Sequence, residues 1–186
     1  MPGALREETV QLMADYLQHR LGGGGGGGAA AVLPPSRTAE TLRRVADELE
    51  SRERPSFRSA CTAAALPQEP GEAAALLGRV AAQMEAEGGL NWGRVVALVV
   101  FAGNLAAALA ERGARDQTAA LAEALAAYLA GEKREWLEAH GGWDGFYHFF
   151  NKHGSDAADQ NSTISNAIMA AAGFGLAGLA FLLAVR

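Results

Sequence analysis

An all-α fold, with one buried helix surrounded by amphipathic neighbours, is what this sequence predicts. Three observations carry that expectation. Apolar residues recur at three- and four-residue spacing through most of the chain, with strand-like alternation nearly absent. The run from Val95 to Ala110 holds no charge and is apolar almost all round, which in a globular domain marks a helix enclosed by others. A second apolar run, Ala167 to Val185, is nineteen residues long and stands apart near the C-terminus.

The elements follow in chain order. Val10, Met13 and Leu17, with Tyr16 adjoining, give one apolar face to a first helix over about 5–20. Gly22 to Gly28 is a run of glycines without the Lys-Ser/Thr ending of a phosphate loop, and it leads through alanines to Pro34-Pro35. Residues 22–37 therefore read as a flexible linker. With Ser36 or Thr38 as N-cap, TAETLRRVADELESR forms a second helix whose Leu42, Val45 and Leu49 share a face, Asp47 lying at its edge. A separate short helix is expected from Pro55 to Cys61, because proline interrupts helices.

Glu72 to Glu87 is the next helix, apolar at Ala73, Leu76, Leu77, Val80 and Met84 and stopped by Gly88-Gly89. The central helix starts at Trp92, and Ala-rich sequence from Gln117 to Leu129 makes its returning partner. Glu132 to His140 carries Trp136; after Gly141-Gly142, Trp143 to Phe150 forms a short aromatic helix, with Asp144 placed where a helix N-terminus favours an anion. Seven or eight helices and no sheet are expected. Residues 1–160 make one helical domain and 164–185 a C-terminal transmembrane anchor, since nineteen helical residues span about 28 Å of a hydrocarbon core roughly 30 Å thick. The alternative is a buried hydrophobic C-terminal helix.

Composition excludes several functions. The net charge of −5 gives no footprint for nucleic acid. Cys61 is the single cysteine, so no internal disulfide forms and a reducing, cytosolic setting is expected. His19, His140, His148 and His153 lack zinc spacing, and no carboxylate pair or nucleophile context suggests an enzyme, so no metal or cofactor is expected. Gly173 to Gly178 matches G-x-G-x-x-G, but it follows no strand and lies within the apolar tail. Asn161-Ser162-Thr163 is a glycosylation sequon that stays unused on the cytosolic side of a tail anchor.

One residue resists the structural reading. Arg94 puts a permanent charge at the mouth of the uncharged helix; alone, it reads as a solvated helix-start arginine or an internal salt-bridge partner. Its context is more specific. Gly89-Leu90-Asn91-Trp92-Gly93-Arg94-Val95-Val96 resembles the first Bcl-2-homology region, with its Asn-Trp-Gly-Arg core, and Gly141-Gly142-Trp143-Asp144-Gly145-Phe146 resembles the second. Leu42-Arg43-Arg44-Val45-Ala46-Asp47 is similar to the third region, and Ala14-Asp15-Tyr16-Leu17-Gln18-His19-Arg20 to the fourth; all four stand in family order ahead of a hydrophobic tail.

Resemblance to the Bcl-2 family of apoptosis regulators, in its multi-region pro-survival form, implies a helical bundle around a central apolar hairpin, here about 92–110 and 115–130. It implies a surface groove that binds the amphipathic death-motif helices of pro-apoptotic relatives of the Bim, Bid, Bax or Bak types. Arg94 would pair with the ligand's single Asp, Asn91 would add a hydrogen bond, and Gly93 would let the ligand backbone approach. Val45, Leu49, Leu76, Val80, Met84, Val95 and Phe101 would line apolar pockets. Leu42, Val45, Ala46 and Asp47 would form the third-region motif, as core and groove wall, while Trp92, Trp136, Gly142, Trp143 and Phe146 would serve packing. Met84 stands where relatives often carry an aromatic residue. The family also contains pore-forming executioners, which share these motifs. A tail-anchored member would face the cytosol from the mitochondrial outer membrane or the endoplasmic reticulum.

Overall fold

The computed structural model describes residues 2–22, 36–63, 71–86 and 89–151. These residues form seven α-helices and no strand: α1 Pro2–Gly22, α2 Arg37–Ala63, α3 Glu72–Ala86, α4 Trp92–Glu111, α5 Thr118–Ala127, α6 Arg134–Ala139 and α7 Gly142–Asn151. A 3-10 turn, Arg115–Gln117, precedes α5, and one wide π turn, Tyr128–Glu132, follows it. Most of the proposed linker and the whole of the proposed anchor lie outside the described residues.

α4 is the hub, with α1, α2, α3 and α5 all packed against it. Fourteen of its twenty residues are buried, so it is enclosed all round, as its uncharged sequence predicts. It is long and apolar enough to cross a membrane, yet 78% of its most apolar stretch is buried within the protein, which is the signature of a core helix. Asn91 starts it: extended at φ −147°, its side-chain oxygen accepts the Arg94 N–H at 2.8 Å.

Three helices differ from the sequence reading. The inner face of α1 is Thr9, Leu12, Met13, Tyr16 and Leu17, at i, i+3, i+4, i+7 and i+8; Val10 sits at its edge, half-buried. α2 runs unbroken through Pro55, where two helices were expected. Pro55 is exposed, so its ring faces solvent, and the bond lost at Ser51 is a local cost that the helix absorbs. α6 is shorter than the Glu132–His140 segment because the π turn takes up its first residues.

α1 and α2 are also joined by ion pairs. Arg43 donates to both carboxylate oxygens of Asp15, at 2.6 and 3.1 Å, and Arg20 donates to Glu50 at 2.7 Å. Ser36 caps α2, its hydroxyl accepting the Ala39 N–H at 3.1 Å. These contacts hold the Leu42, Val45, Ala46 and Leu49 face of α2 inward, at no more than 1% exposure each.

Candidate functional site

α2 and α3 both pack on α4. The three helices share one buried apolar cluster, in the region where the sequence leads one to expect a groove. It includes Val45 and Leu49 from α2, Leu76, Val80 and Met84 from α3, and Val95 and Phe101 from α4. In this structure every one of them is buried, at 3% exposure or less. The sequence reading placed them along open pockets; the structure places them in the continuous core instead. The physical reason is the size of the apolar surface: each such side chain favours burial by roughly 1.5–3 kcal/mol, so an uncovered trough is unstable in water.

Arg94 stands on the first turn of α4 and is only partly buried. Its guanidinium donates to the Gly89 carbonyl, and Gly89 takes φ +84°, a left-handed conformation that suits glycine where the chain turns from α3 into α4. Gly93 is buried beside it. The Asn91 side-chain oxygen caps α4, which fixes the backbone at Arg94. Asp47, the acidic member of the third-region pattern, is exposed, while Leu42, Val45 and Ala46 point inward.

Behind the arginine lies an aromatic cluster. The Trp92 ring meets Trp136 edge-on at 4.9 Å, Phe146 at 5.4 Å and Trp143 at 6.1 Å between centroids. The Trp143 indole N–H donates to the Thr9 hydroxyl at 2.8 Å, both residues buried, and Thr9 donates in turn to the Leu5 carbonyl at 2.7 Å. Gly142 has φ +62° at the corner between α6 and α7. Gly145 is the tightest position: a Cβ there would lie 1.8 Å from the His140 carbonyl oxygen. Trp92, Gly142, Trp143 and Phe146 thus form the support on which the first turn of α4 rests. Thr9, Glu85, Tyr128 and Lys133 were missed by sequence reasoning, because their partners are distant in the chain.

Among the described residues no group of three His, Cys, Asp or Glu side chains is placed to hold a metal. Glu8 has its carboxyl raised above the usual carboxylate range, by burial first and by the nearby Asp144 second. Tyr16 and Tyr128 are raised likewise, burial again leading, so both phenols stay neutral.

Comparison with known proteins agrees with this geometry. Residues 42–143 match the apoptosis regulator proteins of the Bcl-2 family. The chain is 67% identical to the anti-apoptotic protein NR13 of Gallus gallus, over the full length of both. The crystal structure of the zebra-fish pro-survival protein NRZ in its Bad BH3 complex superposes with a TM-score of 0.70 at 37% identity, covering 81% of this chain and 97% of that one. That of Trichoplax adhaerens trBcl-2L2 bound to trBak BH3 has a TM-score of 0.65 at 27% identity, covering 76% and 96%. With its first-region motif opening a buried central helix and its second-region motif packed on Trp92 at the start of that helix, this chain belongs to the Bcl-2 family of apoptosis regulators.

Proposed function

We propose that this protein is an anti-apoptotic regulator that captures the amphipathic death-motif helices of pro-apoptotic relatives in the cleft between α2 and α3, and so blocks mitochondrial outer-membrane permeabilisation. The observation that carries the reading is the position of Arg94: a partly buried cation on the first turn of the buried central helix, held by the Asn91 cap and the Gly89 carbonyl. A death-motif helix presents apolar anchors at helical spacing and one Asp. Anchors entering between α2 and α3 supply most of the affinity, and Arg94 sets register through a charge-assisted pair worth about 1.5–3 kcal/mol.

The relatives support this direction. The NR13 proteins of chicken and quail carry the name anti-apoptotic, and the NRZ and trBcl-2L2 structures hold BH3 segments of Bad and Bak. Because the cleft residues are buried here, a ligand must part α2 from α3 to enter, and its own apolar face replaces the burial that parting costs. The chemistry is binding, with no covalent step. Residues 164–185 anchor the protein to the mitochondrial outer membrane or the endoplasmic reticulum with the helical domain in the cytosol; their apolar run of nineteen residues supports this.

Arg94→Ala tests the reading. The variant is expected to stay folded, because the charge sits at a rim, and to lose capture of a Bad-type BH3 peptide by about tenfold or more. A folded variant with unchanged affinity removes the role assigned to Arg94. Liposomes permeabilised by the protein alone would instead favour the pore-forming branch of the family.

A further inference from the structure

α3 is one wall of the proposed cleft, and its C-terminal end carries a polar clamp. Its inner face rests on α4 and α5, but a cavity of about 250 Å³ lies between the three helices, bordered by Leu77, Gly78, Ala81, Leu98, Leu125 and Tyr128. Around that cavity part of the α3 face lacks packing partners, although Leu77 and Ala81 are themselves buried.

The C-terminal end is clamped. One carboxylate oxygen of Glu85 receives the Lys133 ammonium, and the other receives the Tyr128 hydroxyl at 3.4 Å. Tyr128 and Lys133 are five residues apart, and on a regular α-helix they would point about 140° away from each other. The wide turn changes that. Closed by the Lys133 N–H on the Tyr128 carbonyl at 2.8 Å, it brings both side chains round to the same carboxylate. The restraint then continues along the chain: the Gly89 N–H donates to the Glu85 carbonyl at 2.7 Å, and the Gly89 carbonyl receives the Arg94 guanidinium.

We infer that the π turn at Tyr128–Glu132 presets the α3 wall through Glu85, making Tyr128 and Lys133 positioning residues for ligand capture. The inference rests on the cleft being the ligand site. A wall fixed at one end loses less freedom when a helix packs on it, which raises affinity by preorganisation. Tyr128 and Lys133 touch no ligand in this scheme; they act through Glu85.

The test uses the full chain with Glu85→Gln, with Lys133→Met, and with the swapped pair Glu85→Lys plus Lys133→Glu. Two readouts are taken: hydrogen exchange of the α3 amides without ligand, and calorimetric affinity for a Bad-type BH3 peptide. Each single variant is expected to speed exchange in α3 and to weaken the peptide by about threefold to fivefold, with α1 and α4 amides unchanged, and the swap to restore both. Unchanged α3 exchange in the single variants overturns the clamp. Faster exchange with unchanged affinity overturns its role in capture. A wild-type chain that binds no peptide refutes the cleft reading and the affinity half of this inference together, while the exchange measurement still decides whether the clamp exists.

Discussion

Thr9→Val probes the join between the N-terminal helix and the aromatic corner. The Thr9 hydroxyl accepts the Trp143 indole N–H at 2.8 Å and donates to the Leu5 carbonyl at 2.7 Å, and both Thr9 and Trp143 are at most 1% exposed. Valine keeps the shape but strands the indole donor in the core, at a cost of about 1–3 kcal/mol. The Leu5 carbonyl keeps its α-helical partner, so that side of the change adds little. In a chain of this size each kcal/mol lowers Tm by roughly 2–4 °C. Denaturant unfolding of wild type, Thr9→Val, Trp143→Phe and the double variant closes a cycle whose coupling is expected near 1 kcal/mol. Peptide affinity of Thr9→Val should not change, because the ring contacts of Trp143 with Trp92 and Phe146, on which the first turn of α4 rests, are kept. A coupling below about 0.3 kcal/mol would refute the claim that this bond ties α1 to the corner, and a loss of affinity without loss of stability would refute its separation from the site.

Other expectations follow from the same contacts. Gly145→Ala should cost about 3 kcal/mol or more by chemical denaturation, since its Cβ meets the His140 carbonyl oxygen at 1.8 Å and neither backbone can yield; Gly78→Ala, with open space around it, should instead stabilise by about 0.5–1 kcal/mol. Asp15→Asn should cost about 2–3 kcal/mol because the pair it breaks with Arg43 is only 13% and 11% exposed, whereas Glu123→Gln should be silent, its pair with Arg6 being 58% and 63% exposed. Glu8 has a raised carboxyl, so the folded state takes up its proton at higher pH than the unfolded one. Its cost is therefore present above the folded-state pKa and is relieved as pH falls through that value. Glu8→Gln should raise Tm slightly at pH 7 and lose that advantage in acid, as read by thermal melts across pH.

Much of the fold was legible because burial writes itself into a single chain as periodicity. Leu76, Val80 and Met84 recur on one face of α3, and Val95 to Ala110 lacks charge because no side of α4 meets water. The start of the central helix at Trp92 was legible too, but the role of Asn91 as its cap was not read from the sequence. Continuity of α2 through Pro55 was not, because local rules count the lost hydrogen bond as a break, whereas the helix runs on past it. Thr9 was hidden among polar residues although its hydroxyl serves a buried tryptophan 134 residues away. The π turn had no signature, since five consecutive residues, Tyr128 to Glu132, look like ordinary helix until Glu85 is placed opposite them. State of the cleft is likewise a property of assembled helices: the same apolar side chains line an open groove or a closed core.

Calorimetric titration of the protein with a Bad-type BH3 peptide, beside the same peptide with its Asp changed to Ala, tests the central claim most directly. Tight binding of the first and a loss of about tenfold or more for the second is the predicted result, and Arg94→Ala should abolish the difference between them. Equal affinity for both peptides, or binding of neither, would contradict a cleft that reads its ligand through Arg94.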